Sequence, residues 1–421
     1  MMATRARKAS SFNVGGRRSN AIVLSVAQGF YTAAVAVDLT LTGLTGYQLA
    51  PDKALATLPF ALITVGSAIA TLFASLLMQR IGRRWGFVIG ATTGAVGGLV
   101  SVVAILHSNF WLFCMGTAAV GIFQAFAQYY RLAAADSVAP QQKAKVISMV
   151  LAGGVAAAIL GPALAAWSKN LFSTLFAGSY LMVFLLGVAS VIVLACGFKD
   201  VEAEEIPAHE AAAARKLTTV FRQPISLAAL ANNVIGGVVM MFVMTAAPLA
   251  AVASKHSIDD GANIIQWHLV GMFAPSFVAG YLIKRYGMPS VLFAGILLSA
   301  ACTFIATASS SLSAFYAALL CLGVGWNFMF VGGTALLASS HTPAERAKVQ
   351  GVAELIRNIS TAVAALVAGP ILERFGWADL NLVNVPLLVV AAALTCSWVR
   401  SERTSGKASN NHDNPVSLKT E

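Results

Sequence analysis

The chain has 421 residues, 58% of them hydrophobic and only 11% charged, against about 25% charged in an ordinary soluble domain. With a mean hydropathy of +0.76 it lacks the charge to cover a water-soluble fold of this size, which excludes a soluble enzyme, a nucleic-acid reader and a disordered scaffold. The formal net charge of +11 sits mostly in the tails and in short loops between apolar runs, where Lys and Arg report topology.

In chain order, the first nineteen residues carry Arg5, Arg7, Lys8, Arg17 and Arg18 ahead of an apolar run too long for a signal-peptide core. That run reads as an uncleaved first helix starting in the cytoplasm. Runs long enough to cross a bilayer fall at about 20–46, 55–78, 86–107, 110–135, 145–168 and 172–198, and again at 225–253, 261–283, 289–308, 312–339, 349–372 and 378–399. Between the two sets lies a polar stretch with Glu202, Glu204, Glu205, Arg215 and Lys216. The expected organisation is an all-α membrane protein of twelve spans: a tail at 1–19, a six-helix bundle at 20–198, a linker at 199–224, a second bundle at 225–399 and a polar, disordered tail at 400–421. The tails, the linker and the loops on their side hold 22 Lys and Arg, and the opposite loops hold four: Lys53, Lys169, Lys255 and Arg374. The imbalance puts both termini and the linker in the cytoplasm.

The two sets repeat one another. SLLMQRIGRR (75–84) follows span two and GYLIKRYGMP (280–289) follows span eight; PQQKAKV (140–146) and PAERAKV (343–349) follow spans four and ten. Spans five and eleven both contain Gly-Pro, at Gly161-Pro162 and Gly369-Pro370. Parallel six-span repeats are the build of a two-bundle transporter. On these landmarks the chain resembles the major facilitator superfamily, whose loop motif after span two reads roughly G-x-x-x-D-R-x-G-R-R. Arg80, Gly82, Arg83 and Arg84 match it, whereas Ser75 and Gln79 stand at its first Gly and its Asp. The second copy keeps Gly280, Arg285 and Gly287, with Lys284 at the Asp position. Arg80, Arg83, Arg84 and Arg285 are accordingly candidate gating residues that anchor the loops and pair with helix C-terminal carbonyls.

A polar side chain inside a span is costly unless it meets a partner or a watery cavity. Spans three, six and nine have no Asp, Glu, Asn, Gln, Lys or Arg in their interiors, and in the superfamily these lie outermost with span twelve. Span one sets Gln28, Tyr31, Asp38, Thr42 and Thr45 on one helical face, and span four sets Gly121, Gln124, Gln128 and Arg131 on another. Asn232 and Asn233 open span seven, and Gln266, Trp267 and His268 lie in span eight. Span ten aligns Gly323, Asn327, Phe330 and Thr334 with Trp326 beside them, and span eleven aligns Gln350, Glu354, Arg357 and Thr361. The candidate substrate-binding set is Gln28, Tyr31, Gln124, Gln128, Asn232, Asn233, Gln266, Trp267, His268, Trp326 and Asn327; the alternative for each is hydrogen bonding between packed helices. Trp267 and Trp326 are the expected stacking residues. Glu354 and Arg357 neutralise each other at three residues' spacing, and Arg131 has Asp136 nearby. Mostly neutral amides, hydroxyls and aromatics suit a flat or polyhydroxylated neutral solute better than a strong anion. Asp38, a carboxyl within span one, is the candidate proton carrier. Glu354 is the second, although Arg357 one turn away holds it ionised.

Longer strings, among them IIQWHLVGMFAPSF (264–277), MTAAPLA (244–250), GVGWNFMFVGGTALL (323–337), LAGGVAAAILGP (151–162) and QAFAQYYRLAAAD (124–136), resemble the bacterial branch of the superfamily that contains riboflavin-uptake permeases. The resemblance implies riboflavin import through a bacterial inner membrane by a monomer in the lipid bilayer, without cofactor or nucleic-acid partner. The alternative within the fold is a proton-coupled exporter of drugs or metabolites. Its usual span-five motif, G-x-x-x-G-P-x-x-G-G, is broken here by Ala165 and Ala166. A membrane enzyme finds no support: the five cysteines never form CxxC, and the six histidines make no HExxH. A non-transporting receptor remains open.

Overall fold

A computed structural model describes residues 14–138, 143–200, 215–342 and 345–412. The expectations for residues 1–13, 139–142, 201–214, 343–344 and 413–421, which include most of the N-tail and the acidic part of the linker, lie outside the described residues. The described chain is helical, with no strand among the described residues. The helices are α1 (Val14–Leu49), α2 (Leu58–Ile81), α3 (Arg83–Leu106), α4 (Phe110–Ala127), α5 (Tyr130–Asp136), α6 (Lys143–Ser168) and α7 (Ala177–Gly197). After the linker come α8 (Leu217–Phe221), α9 (Pro224–Ala253), α10 (Ile258–Phe273), α11 (Ser276–Tyr286), α12 (Met288–Ala308), α13 (Leu312–Ser339), α14 (Arg346–Leu382) and α15 (Asn384–His412).

Among the described residues, nine helical stretches are long and apolar enough to cross a membrane. They differ from the twelve expected runs at three places. Helix α6 is not among the nine, the run at 261–283 is divided between α10 and α11, and the runs at 349–372 and 378–399 merge into one stretch, Lys348–Thr404. The division has a clear cause, because Pro275 lacks the N–H that would continue the ladder. Helix α4 likewise loosens into α5 at Gln128–Tyr129. The last helix continues to His412, past the position at 400 where a polar tail was expected. No proline interrupts it before Pro415, and Ser401 and Thr404 bond back to carbonyls of the preceding turn.

The helices before residue 199 pack chiefly on one another, as do those after 216. Small residues let them approach. Gly29 and Gly153 bring α1 and α6 to backbone contact, where a Cβ at Gly153 would strike the Ser25 carbonyl. The internal repeat is visible in the backbone. Gly82 (φ 86°, ψ 156°) and Gly287 (φ 85°, ψ 155°) turn α2 into α3 and α11 into α12 with the same left-handed geometry, which favours glycine over any side chain.

Candidate functional site

The two halves meet tightly toward one end. Call the end that carries Arg83, Lys199 and Arg215 the linker end, and the opposite one the far end. At the far end, Leu249 and Ala262 of the second half pack with Leu41, Leu44 and Phe176 of the first. Gly369 of α14 sits against Thr57 and the Ala54 carbonyl, and Lys169 makes an ion pair with Asp259. A second mixed cluster lies deeper, with Phe60 and Ile63 against Met240, Met244, Ile265 and Leu269. The clusters nearest the linker end do not cross the boundary: one is confined to residues before 199 and the other to residues after 216. Among the described residues, the apolar packing between the halves lies toward the far end.

Below the deeper cluster, Trp326 stacks on Phe330 one turn along α13, with ring centroids 4.9 Å apart and planes 13° from parallel. The indole Nε1 is buried without a hydrogen-bond partner among the described residues. The Arg357 guanidinium stands 5.5 Å from the Phe330 centroid. Arg357 also donates to Glu354 Oε2, at 3.1 Å from Nε and more closely from Nη2. Across the boundary, Arg131 Nη2 lies 3.9 Å from Glu354 Oε1. A flat aromatic platform thus borders a strip of two cations and one carboxylate.

The sequence-selected residues divide into two groups. Gln28, Tyr31, Gln124, Gln128, Gln266 and Trp326 keep partial exposure. Gln28 bonds Thr32 within its own helix at 3.2 Å, Gln128 reaches Ser67 only at 3.5 Å, and Tyr31 packs edge-on against Phe123. Gln124 and Gln266 make no side-chain hydrogen bond among the described residues. Trp267 is 55% exposed and stacks on no other ring among the described residues, so the expected pair of stacking tryptophans reduces to Trp326 with Phe330.

The other group ties helices together. Asn232 is fully buried and donates to Thr395 of α15 at 2.8 Å, and Asn233 donates to Thr334 of α13 at 2.9 Å. His268 is likewise fully buried, its Nδ1 2.7 Å from the Leu319 carbonyl. Asn327 repairs the helix break: its amide donates to the Met272 carbonyl at 2.7 Å and to Ser276 Oγ at 2.6 Å. These three amides and one imidazole are engaged with neighbouring helices, the alternative use of polar groups in lipid.

Asp38 is 2% exposed. Thr42 Oγ1 lies 3.4 Å from its Oδ1 and 2.9 Å from the Tyr180 hydroxyl, forming a short chain from α1 to α7. Asp38 Oδ2 has no partner among the described residues. The other carboxyl, Glu354, is held by Arg357, as its spacing suggested.

The loop arginines act within the first half. Arg83 pairs with Asp136 at 2.7 Å, the Arg84 backbone N–H donates to Asp200 at 2.9 Å, and the Arg84 guanidinium caps the Ala195 carbonyl at the end of α7. Asp136 is therefore taken by Arg83, and Arg131, expected beside Asp136, faces Glu354 instead. Five residues of helix put Arg131 and Asp136 on different faces. Arg80 is exposed, and Arg285 contacts Tyr281 and Tyr286 rather than an acid. The sequence reading left Phe330, Arg131, Arg357 and the Lys169–Asp259 pair out of the site. Phe330 and Arg357 were already aligned with chosen neighbours, whereas no local signal joins Lys169 to Asp259.

The linker end is braced by Arg215, which makes a two-pronged ion pair with Glu345 at 2.7 and 2.8 Å. Glu345 also caps the Thr342 N–H at 2.9 Å. The Arg215 hydrogen bonds hold the Glu345 carboxyl well below the usual carboxylate range.

Comparison with known proteins places this geometry in context. The family model described as Major Facilitator Superfamily matches residues 21–267 and 243–420. The riboflavin transporter RfnT of Brucella anthropi is 38% identical over 375 residues, 89% of this chain and 94% of that protein. The uncharacterized MFS-type transporter YdeG of Bacillus subtilis is 28% identical, over 86% of this chain and 87% of its own. Among solved structures, the nucleoside transporter NupG aligns with a TM-score of 0.62 at 14% identity, covering 90% of this chain and 98% of that one. The human organic anion transporter MFSD10 aligns at 0.66 and 13%, covering 90% and 99%. At such low identity these two likenesses concern the fold alone.

Proposed function

The chain belongs to the Major Facilitator Superfamily, and on that premise we propose that it carries riboflavin into the cell by alternating access. The observation that carries the substrate is the 38% identity to a riboflavin transporter across 89% of the chain. The site geometry supports it: a stacked Trp326–Phe330 platform offers a face to a flat ring, and the half-buried Gln28, Gln124, Gln128 and Gln266 offer amides to ring edges and hydroxyls. Stacking of a base on an aromatic side chain is worth about 1–3 kcal/mol in nucleic-acid proteins.

In this reading twelve spans form two six-helix bundles, at 20–198 and 225–399. Both termini and the linker face the cytoplasm of a bacterial inner membrane, in line with the 22-to-four imbalance of Lys and Arg. The far end is then the outer side, and the described conformation opens inward. Arg83 and Arg84 brace the inner ends of α3, α5 and α7 so that the first bundle moves as a body, which is the gating role proposed for the loop. Asp38 is the proposed proton carrier: it is a buried carboxyl without a counter-ion among the described residues. Glu354, bound to Arg357, serves the charge strip rather than the proton. The protein acts as a monomer and without a cofactor.

The test is uptake of labelled riboflavin by a riboflavin-requiring bacterial strain that expresses the chain. Uptake above the empty-vector control, competed by unlabelled riboflavin, is expected. Membrane-inserted protein with no uptake overturns the substrate.

A further inference from the structure

At the boundary between the halves, two arginines share one carboxylate. Glu354 Oε2 binds Arg357 on its own helix, while Glu354 Oε1 stands 3.9 Å from Arg131 of the opposite half. That distance is longer than a hydrogen bond, so the cross-boundary contact is stretched while the contact within α14 is made. Arg357 has a second neighbour, the Phe330 ring at 5.5 Å, and Phe330 is one face of the stack that ends in the Trp326 indole N–H, which has no partner among the described residues. A guanidinium set over the Phe330 ring beside the stack can donate to a carbonyl at the edge of a ring seated on the platform. The three side chains together define a ligand chemistry: a planar heteroaromatic with a carbonyl oxygen at its edge.

We propose that Phe330 and Trp326 stack on the transported flavin ring while Arg357 donates to one carbonyl of its dione edge, and that the substrate, by engaging Arg357, releases Glu354 to Arg131 and draws the linker ends of the two halves together. The proposal rests on the riboflavin reading and adds to it the recognition residues and the link from occupancy to closure. Its physical basis is competition. Arg357 has one planar fork, and Glu354 occupies it in the described conformation. A carbonyl edge that takes part of that fork leaves Glu354 under-paired at the partly exposed boundary, where a second cation already waits on the other half. A ligand shifts a conformational equilibrium only by its differential affinity for the two states, and here that difference is the Arg131–Glu354 contact.

Two measurements test this on the purified full-length protein. The first is riboflavin binding, read by quenching of tryptophan fluorescence and compared with binding of its N3-methyl derivative, whose dione edge is blocked. Wild type should prefer riboflavin about tenfold or more, as expected for hydrogen bonds to a charged group. Arg357→Lys, which keeps the charge and loses the fork, should bind both alike, and Trp326→Phe should lose most of the quenching. The second is thiol labelling of Gly351→Cys on α14, where an added side chain meets nothing within 4 Å among the described residues, against the parent protein as background. Riboflavin should slow labelling severalfold. With Arg131→Gln or Glu354→Gln the same riboflavin should still quench fluorescence but no longer slow labelling.

Undiminished preference for riboflavin in Arg357→Lys overturns the recognition. Undiminished protection in both Arg131→Gln and Glu354→Gln overturns the link to closure. If wild type does not bind riboflavin at all, the transport reading itself fails, a result distinct from either.

Discussion

The ion pair between Lys169 and Asp259 joins the halves at the far end, and its removal should loosen that end by an amount the structure bounds. The Lys169 side chain is 11% exposed and that of Asp259 is 64% exposed, so the pair is largely screened on one side. Pairs of this kind contribute about 0.2–1 kcal/mol, a factor of about 1.4 to 5 in an equilibrium constant. Asp259 also lies in the first turn of α10, where a negative charge is favourable on its own account; single substitutions therefore mix two effects. A double-mutant cycle separates them. The assay is the labelling rate of Gly43→Cys, at the boundary 3.9 Å from the Thr245 carbonyl by its added Cβ, with a membrane-impermeant thiol reagent. Lys169→Gln and Asp259→Asn should each speed labelling by about 1.4- to 5-fold, and the double variant should exceed the faster single variant by no more than the helix-charge effect. High salt should shrink the differences. Rates that multiply in the double variant, or singles indistinguishable from wild type, would refute a role for this contact in holding the far end shut.

Three further outcomes follow from the same geometry. Asp38→Asn should still equilibrate riboflavin across the membrane but lose protonophore-sensitive accumulation. A proton falling through 100 mV supplies about 2.3 kcal/mol, enough to concentrate a neutral solute about fiftyfold, and wild-type uptake indifferent to protonophore would remove the coupling. Arg83→Ala breaks the 2.7 Å pair with Asp136 and should lower the transport rate at normal expression, with Arg285→Ala, which breaks no ion pair among the described residues, having the smaller effect; equal rates in Arg83→Ala and wild type would leave the loop a topology marker only. Because the Glu345 carboxyl titrates below its unfolded value, its stabilisation is complete above about pH 4.3 and is lost as pH falls from there toward the folded value. Glu345→Gln should flatten the decline of thermal stability over that acid range, and identical slopes would contradict the pairing with Arg215.

The helical elements were legible because lipid imposes a length and a composition on anything that crosses it. The repeat was legible because two loops need the same turn, and Gly82 and Gly287 share it to within one degree in φ and ψ. The site was only half legible. Helical spacing tells which residues share a stripe, and it does not tell what faces that stripe. Asn232 and Asn233 are adjacent in sequence, yet one is bound to α15 and the other to α13. Asn327 looked like a cavity amide, but the Pro275 break a whole span away gave it a carbonyl to satisfy. Ion pairs were worst served, since the partners that matter are Arg83 with Asp136 and Lys169 with Asp259, and nothing local in the sequence marks either pair.

The two cross-boundary ion pairs among the described residues explain how such a molecule avoids being locked. Lys169–Asp259 is made at the far end while Arg131–Glu354 is stretched at the linker end. If the halves rock as bodies, closing the linker end shortens the second pair and pulls the first apart. Each pair is partly exposed and is therefore worth at most about 1 kcal/mol, so exchanging one for the other leaves the two conformations close in energy. A carrier needs that near-balance, because a strongly preferred state would demand a large differential affinity from the substrate: about 5.5 kcal/mol to move a 1:99 ratio to 99:1. The strip makes the balance responsive. Arg357 holds Glu354 while Arg131 stands 3.9 Å from it, and in the proposed mechanism a ligand that competes for Arg357 gives Glu354 back to the cross-boundary contact. The asymmetry of two cations to one carboxylate is then what lets a neutral solute act as a switch.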